Sequence, residues 1–411
     1  MTIKRIGILT AGGDCPGLNA VVRAVSKNAL RHGIEVLGLK NGFDGLVRNE
    51  FIRITDETVS GILTLGGTIL GTSNIANPFN YTLPPFGSPE TPRDLSSVAM
   101  HNFRENQLDA LITIGGDGTL HMSQQFVDMG MPIVAVPKTI DNDLFGTDHC
   151  PGYGSAAKFI ATTCMEIGKD TDVYNTDMVT VVEIMGRHAG WLTASAALAT
   201  EYGNGCGPDL IYLPEIDFNL DQFTEDVTKI MKQKRNVLVA VSEGLHYSDG
   251  SFVSEAEVSG TDGFGHAQLG GLAVKLANYL KERLGLKKVR GIELSLLQRS
   301  AAHIASLVDV EEAEAVGKAA VEAAVAGATG QMVALERDDS TGLYSCKPTL
   351  LSLNSVANYE KKVPVNWITK DGNYVTNEFI NYVLPLIQGE PKNPKEDSLP
   401  RFAKLKKVLA K

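Results

Sequence analysis

The chain has 411 residues, of which 43% are hydrophobic and 21% charged. These ordinary globular values exclude a disordered protein and allow two or three domains. The net charge of −10 argues against a broad nucleic-acid surface, although a local basic pocket could still bind phosphorylated metabolites.

Targeting signals are absent from the sequence pattern. No uninterrupted apolar run approaches the roughly 18–20 residues that span a bilayer, and Met1 leads into a strand without the apolar region of a signal peptide. The five cysteines are scattered and lack metal-ligand spacing, which indicates reduced thiols. We therefore expect a cytoplasmic protein that does not interact with membranes or nucleic acids.

Short β-branched runs alternate with segments of helical periodicity along most of the chain. The predicted strands are Ile3–Leu9, Ile34–Leu39, Leu108–Ile114, Pro132–Val136, Met178–Ile184, Leu210–Leu213, Asn236–Ser242, Val289–Leu297 and Gln331–Leu335. The predicted helices are Leu18–Arg31, Ser96–Asn106, Ser155–Gly168, Leu192–Thr200, Asp221–Lys234, Gly265–Leu284, Glu311–Gly327 and Asn377–Gln388. This alternation predicts doubly wound α/β sheets with right-handed crossovers.

The strand–helix pattern starts again after about residue 152, which predicts a second α/β domain. We assign residues 1–152, with about 300–345, to one domain and residues 153–299 to the other. Residues 346–411 are assigned to a C-terminal extension of unknown role, because their composition becomes mixed and polar.

Two neighbouring predicted strands end in polar turns that should open onto the same crevice of a parallel sheet. The first turn reads GGDGT (residues 115–119). Its glycines let backbone N–H groups approach phosphate oxygens, Asp117 can hold Mg²⁺, and Thr119 adds a hydroxyl. An ordinary strand-to-helix turn with an Asp cap is the alternative interpretation, and lipid and nicotinamide-nucleotide kinases use similar turns.

The second turn reads PKTIDND (residues 137–143). Crowding Asp141 and Asp143 together is costly unless they bind something. One carboxylate can take the proton of an attacking hydroxyl while the other helps to hold a metal, and Lys138 can neutralise charge on a phosphoryl group. A solvated acidic turn is the alternative, but the GGDGT turn about twenty residues earlier argues against it.

Six motifs follow the order found in the 6-phosphofructokinase family. They read GGDCPGLNAVVRA, GGTILGTS, IGGDGTL, PKTIDND, VVEIMGRHAGWLTA and SEGL, and they extend over about residues 4–299. The chain therefore resembles this family. Lipid and nicotinamide-nucleotide kinases lack PKTIDND and MGRHAGW. The resemblance implies a magnesium-dependent glycolytic transferase that phosphorylates the 1-hydroxyl of fructose 6-phosphate to give fructose 1,6-bisphosphate, acting as a homodimer or homotetramer.

The resemblance also implies two facing three-layer α/β domains, of which the first binds the phosphoryl donor and the second binds fructose 6-phosphate. The implied catalytic residues are Asp141 (the general base), Lys138 and Arg187. The implied metal residues are Asp117 and Asp143. The implied donor-binding residues are Gly13, Asn74, Gly116, Asp117, Gly118 and Thr119. The implied sugar-phosphate residues are Thr139, Ile140, Asp141, Met185, Gly186, Arg187, Glu243, Arg290, Leu296 and Arg299.

Three positions depart from the commonest family pattern. Asn74 replaces a donor-loop arginine, Met178 replaces an arginine that reaches across a subunit interface, and Leu296 replaces a histidine or tyrosine. These changes put cooperative regulation of the bacterial type in doubt. They also leave open a catalytically silent regulatory paralogue, although the intact base, metal and MGR residues argue against it.

The identity of the donor depends on two further positions. In this family an aspartate at the position of Gly118 fills the space for the nucleotide α-phosphate and favours pyrophosphate, whereas glycine leaves room for ATP. Lys138, by contrast, is typical of pyrophosphate enzymes, although some ATP-using branches combine this glycine with this lysine. We expect ATP, with pyrophosphate as the alternative.

Overall fold

The computed structural model describes residues 3–254, 269–356 and 359–400. The strands are β1 (Arg5–Thr10), β2 (Glu35–Leu39), β3 (Phe51–Ile54), β4 (Ala110–Gly115), β5 (Ile133–Pro137), β6 (Met178–Ile184), β7 (Leu210–Tyr212), β8 (Asn236–Ser242), β9 (Lys288–Glu293), β10 (Gln331–Asp338), β11 (Ser345–Ser352), β12 (Lys395–Glu396) and β13 (Leu399–Pro400). The α-helices are α1 (Leu18–Arg31), α2 (Phe43–Arg48), α3 (Ser96–Glu105), α4 (Asp117–Asp128), α5 (Tyr153–Asp172), α6 (Trp191–Ser195), α7 (Ala197–Tyr202), α8 (Leu220–Met231), α9 (Leu272–Leu284), α10 (Leu297–Ser300), α11 (Leu307–Val325) and α12 (Asn377–Val383).

Two sheets rich in parallel strands organise the molecule and confirm the predicted α/β fold class. The first has the strand order β11-β10-β5-β4-β1-β2-β3, in which only the outer pairs β11–β10 and β2–β3 are antiparallel. The second has the order β7-β8-β6-β9 and is parallel throughout. Strand β11 lies within the first sheet, so this sheet continues beyond residue 345. Within the described ranges, no helix is long and apolar enough to cross a membrane.

Helices cover both faces of the first sheet, which explains why its central strands are continuously apolar. On one face, Leu111 of β4 packs with Phe103 of α3 and Phe126 of α4. On the other face, Ile112 joins a cluster that includes Val21 of α1 and residues of α11. Successive residues of a strand point to opposite faces, so a buried strand anchors to both layers. The carboxyl ends of β4 and β5 are thereby held on a rigid support.

The boundaries of some predicted elements differ from the structure. The strand predicted over Val289–Leu297 ends at Glu293, because Ser295 adopts a left-handed φ of 46° and α10 begins at Leu297. The helix predicted over Gly265–Leu284 is observed from Leu272, and its predicted part at residues 265–268 lies outside the described residues. The helix predicted over Asn377–Gln388 ends at Val383 and continues as a 3₁₀ turn.

A buried histidine joins the loop after the PKTIDND turn to helix α11. The Nδ1 of His149 lies 2.9 Å from the Asp148 carboxylate, and its Nε2 lies 2.7 Å from the carboxylate of Glu312. Burial alone would lower the pKa of His149, but the two hydrogen-bonded carboxylates outweigh that effect and raise the pKa above its ordinary value. His149 is therefore most stabilising as an imidazolium.

We expect His149→Gln to lower the free energy of unfolding by about 3 kcal/mol at pH 6, because it leaves two partly buried carboxylates without their cation. The raised pKa means that the stabilisation is complete below the unfolded-state pKa and is lost as pH rises through the folded-state pKa. The difference in unfolding free energy between wild type and variant, measured by urea denaturation, should therefore shrink above neutral pH. His101→Gln, at an exposed histidine beside Glu105, is the control. A difference that stays constant from pH 6 to 9 would contradict stabilisation by a charged His149 between the two carboxylates.

Candidate active site

Three turns of the first sheet meet at one edge because β1, β4 and β5 are neighbours. Gly115 pairs in register with Pro137, and the N–H of Lys138 donates to the Gly115 carbonyl at 3.0 Å. The N–H of Ala11 donates to the carbonyl of Ile114 at 2.9 Å. The turn after β1, the GGDGT turn and the PKTIDND turn therefore form one surface, as the sequence predicted for the last two.

The second glycine-rich loop packs against the turn after β1. The N–H of Gly12 donates to the Ser73 carbonyl at 3.1 Å, and the hydroxyl of Thr72 donates to the Gly12 carbonyl at 2.5 Å. Asn74 follows directly and is exposed, so it lies next to the turn that contains Gly13. Both predicted donor loops are thus parts of the same edge.

Lys138 spans two of these turns from a buried position. Its side chain is 5% exposed, and its ammonium group donates to the Gly13 carbonyl. Burial lowers the pKa of Lys138, although the negative charges of Asp14 and Asp141 oppose that shift. A cation held here can act on an anionic group that enters between the turns.

The carboxylates of the PKTIDND turn are strongly perturbed. Burial, together with the charges of Asp143 and Glu243, raises the pKa of Asp141 to about 8. Burial also raises the pKa of Asp143, while a hydrogen bond with Thr139 lowers it and the charge of Asp117 raises it. A carboxyl group with its pKa near neutrality is suited to take up a proton during a reaction.

Asp117 and Asp143 fit a magnesium ion. Asp117 is the first residue of α4 and is exposed, and its negative charge acts on the partly exposed Asp143. Two carboxylates whose charges act on each other offer the oxygen ligands that Mg²⁺ prefers, and the ion would relieve their repulsion.

The glycines of the GGDGT turn allow a tight strand-to-helix connection. A Cβ on Gly115 would lie 2.2 Å from the hydroxyl of Thr119, so glycine is required there. Thr119 is 2% exposed, which shows that its side chain packs against the end of β4. Gly116 and Gly118 are partly exposed beside Asp117 at the start of α4, where backbone N–H groups face outward.

The second sheet contributes the turns that follow β6 and β8. The N–H of Glu243 donates to the Ile184 carbonyl at 2.9 Å, and the N–H of Gly186 donates to the Glu243 carboxylate at 3.3 Å. Gly186 has a φ of 128°, which favours glycine. Burial raises the pKa of Glu243, whereas the charges of Arg187 and Arg299 lower it. The predicted Gly186, Arg187 and Glu243 are therefore neighbours.

Arg299, from α10, connects this second group of residues to the first. Its Nε lies 3.4 Å from the sulfur of Met185, and its guanidinium lies 3.7 Å from where a Cβ on Gly13 would be. Its positive charge opposes the rise that burial causes in the pKa of Asp14, Asp141 and Glu243. Charged residues that follow the strands of both sheets therefore interact in a single site.

Three predicted sugar-phosphate residues differ from this cluster in the placement of their side chains. Arg290, in the edge strand β9, forms an ion pair with Asp170 at 2.5 Å and lies over the ring of Tyr174. Leu296 is 65% exposed, and the Ile140 side chain is buried in the core. Within this chain, the described contacts of Arg290 do not reach the turns above.

Sequence reasoning missed four residues near the site. Asp14 carries a charge that acts on Lys138, and its position next to Gly13 was the signal that could have identified it. Asn142, in the PKTIDND turn, contacts both Lys361 and Tyr382. The latter two come from the C-terminal segment, and no motif marks them.

The comparisons with known proteins agree with this geometry. A family model described as phosphofructokinase matches residues 5–324. The chain belongs to the phosphofructokinase family. A pyrophosphate–fructose 6-phosphate 1-phosphotransferase of Xanthomonas campestris is 38% identical over 99% of this chain and 97% of its own length. An ATP-dependent 6-phosphofructokinase 2 of Clostridium perfringens is 37% identical over 88% of this chain and 94% of its own.

A solved structure supports the same fold. The pyrophosphate-dependent phosphofructokinase from Nitrosospira multiformis superimposes with a TM-score of 0.86 at 32% identity, over 99% of this chain and 98% of that one. The family and the two-sheet architecture suggested by the motifs are thereby confirmed. The relatives include enzymes named for each of the two donors.

Proposed function

We propose that the protein transfers the terminal phosphoryl group of Mg-ATP to the 1-hydroxyl of fructose 6-phosphate, giving fructose 1,6-bisphosphate and ADP. One observation carries this proposal: Arg299 lies close to turns from both sheets. The first sheet offers glycine turns, Lys138 and Asp141, which suit a phosphoryl donor and an attacking alcohol. The second offers Arg187 and Glu243, which suit a phosphorylated sugar.

Asp141 acts as the general base. Its carboxylate takes the proton of the 1-hydroxyl while that oxygen forms a bond to the terminal phosphorus atom. The bond from phosphorus to the bridging oxygen breaks, and ADP leaves. The raised pKa of Asp141 makes its carboxylate a better proton acceptor than an exposed aspartate, because proton-transfer efficiency follows basicity.

The cations around this base stabilise the transferring group. Lys138 carries its charge beside the glycine turn, and Arg299 approaches the same turn from the opposite sheet. Mg²⁺, held by Asp117 and Asp143, would neutralise charge on the donor phosphates. The glycine backbone orients the donor, while Arg187 and Glu243 hold the sugar phosphate.

Gly118 supports ATP as the donor. It lies at the start of α4 beside the metal residue, where a carboxylate would repel the α-phosphate of a nucleotide. Glycine presents neither that charge nor that volume. Pyrophosphate is the second candidate, because two relatives named as pyrophosphate enzymes match this chain over 97–99% of its length, whereas the Clostridium ATP-dependent relative matches 88%.

The proposal also covers the cellular location and the oligomeric state of the enzyme. We propose a cytoplasmic glycolytic enzyme that assembles as a homodimer or homotetramer. Arg290 and Leu296 lie on or near the edge strand β9, and in this proposal they would contact sugar phosphate only in such an assembly.

We expect Asp141→Asn to lower kcat by about 10²–10⁴-fold, because the amide cannot take the proton, while the KM for fructose 6-phosphate stays near that of wild type. The wild-type kcat/KM should rise with pH up to about 8, since deprotonated Asp141 is the active form. Steady-state kinetics from pH 6 to 9 would test both points. Asp128→Asn, at an exposed aspartate of α4, is the control. A near-wild-type rate would remove Asp141 from this role.

Initial rates with fructose 6-phosphate, Mg²⁺ and either ATP or pyrophosphate should show turnover with ATP. We expect Gly118→Asp to lower kcat/KM for ATP by about 10²-fold or more, because it places a carboxylate beside the α-phosphate. Gly118→Asn, of equal size but neutral, separates charge from volume. Turnover of the wild type with pyrophosphate alone would refute the ATP assignment while leaving the phosphofructokinase reaction intact.

A further inference from the structure

The C-terminal segment contacts the PKTIDND turn, and the proposed reaction makes no use of these contacts. Asn142 lies between Asp141 and Asp143, is 0% exposed, and adopts a left-handed φ of 55°. Asparagine tolerates this conformation. The conformation in turn determines the directions in which the side chains of the two flanking aspartates point away from the turn. Whatever holds the Asn142 side chain therefore also fixes the directions of both aspartates.

Three groups hold the side chain of Asn142. Its amide nitrogen donates to the hydroxyl of Tyr382 at 2.9 Å. Its amide oxygen accepts from the N–H of Cys150 at 3.0 Å and from the ammonium of Lys361 at 3.3 Å. The Tyr382 hydroxyl in turn donates to the Asp148 carbonyl at 2.7 Å. Two of the three groups belong to the C-terminal segment, more than 200 residues further along the chain.

Lys361 uses its whole hydrogen-bonding capacity at this turn. Besides Asn142, its ammonium donates to the carbonyl of Thr147 at 3.3 Å and to the carbonyl of Asp148, which accounts for all three N–H groups. Its backbone N–H donates to the Asp143 carbonyl at 2.7 Å. The Lys361 ammonium thus links Asn142 to the loop that follows the PKTIDND turn.

The same lysine also reaches the second sheet. Its carbonyl accepts from the indole N–H of Trp191 at 2.8 Å, and its ammonium lies 4.8 Å from the centre of that ring. Trp191 begins α6, four residues after Arg187. The ring of Tyr382 packs against Trp191 at a centroid distance of 5.1 Å. Lys361 and Tyr382 therefore contact both the PKTIDND turn and Trp191 of α6, the helix that follows the turn containing Arg187.

We propose that Lys361 and Tyr382 are positioning residues that act through Asn142 to set the geometry of Asp141 and Asp143 relative to the sugar-phosphate turn. This inference rests on the proposed phosphoryl transfer. Neither side chain contacts a proposed substrate residue directly, so their removal should impair the chemical step and leave binding of fructose 6-phosphate largely intact.

Steady-state kinetics of three variants test this role. Lys361→Met keeps the length of the side chain without its ammonium, Tyr382→Phe keeps the ring without its hydroxyl, and the double variant removes both. We expect Lys361→Met to lower kcat by about 10–100-fold, as for a small displacement of a catalytic group, with the KM for fructose 6-phosphate changed less than about threefold. Because both residues act through Asn142, the double variant should lose less than the product of the single losses.

The neighbouring Lys362 provides the matched control, since it is exposed. Lys362→Met should keep the wild-type kcat. A wild-type kcat in Lys361→Met, or the same loss in Lys362→Met, would overturn the proposal, as would losses that appear only in KM. If Lys361→Met does not fold, Tyr382→Phe decides, because its ring still packs against Trp191.

Hydrogen–deuterium exchange separates this inference from the proposed function. In Lys361→Met, amides of residues 137–150 should exchange about tenfold faster, while those of β1 and β4 stay unchanged. Unchanged exchange at 137–150 would overturn the positioning role even if the enzyme is active. Absence of wild-type turnover with either donor would overturn the proposed function alone, since the exchange measurement does not require activity.

Discussion

Asp141 lies close enough to two other partly buried carboxylates, Asp143 and Glu243, for their charges to raise its pKa, and the rest of the site is arranged around this repulsion. Burial and mutual charge raise the pKa of Asp141, and burial raises those of Asp143 and Glu243. Arg299 and Lys138 oppose this shift at Asp141. Lys138 follows β5 of the first sheet, whereas Arg299 lies in α10, which follows β9 of the second, so Asp141 acquires its electrostatic environment only when both parts are in place.

The backbone of the turn imposes a second constraint. Parallel strands deliver their loops to a common edge, but they do not determine the direction of each side chain in those loops. At the PKTIDND turn that direction depends on the left-handed Asn142, whose amide is held by groups from three separate parts of the chain. His149, a few residues later, secures the same loop to α11 through Glu312. Rigidity at the base therefore comes from contacts outside the two motifs that carry the chemistry.

Sequence reasoning succeeded where the signal is local. The strand Met178–Ile184 and the helix Leu18–Arg31 were predicted with the observed bounds, because burial on both faces and amphipathic spacing are visible in a short window. The adjacency of the GGDGT and PKTIDND turns followed from strand order. Lys361 could not be found in this way, since its partners Asn142 and Asp148 lie more than 200 residues away and no pattern in residues 346–411 marks it. The end of β9 was missed because the apolar run continues past Glu293, and only the backbone of Ser295 breaks it.

The donor question illustrates how overall similarity and a local site can point in different directions. Two relatives named for pyrophosphate, from Xanthomonas campestris and Halomonas elongata, match 99% and 97% of this chain, which includes most of the C-terminal segment. The contacts of Lys361 and Tyr382 in that segment reach Asn142 and the loop to Asp148, around Asp141, the proposed base. In the function proposed above, selection between donors depends on charge and space next to the phosphates, at the start of α4, where Gly118 presents neither a carboxylate nor a side chain.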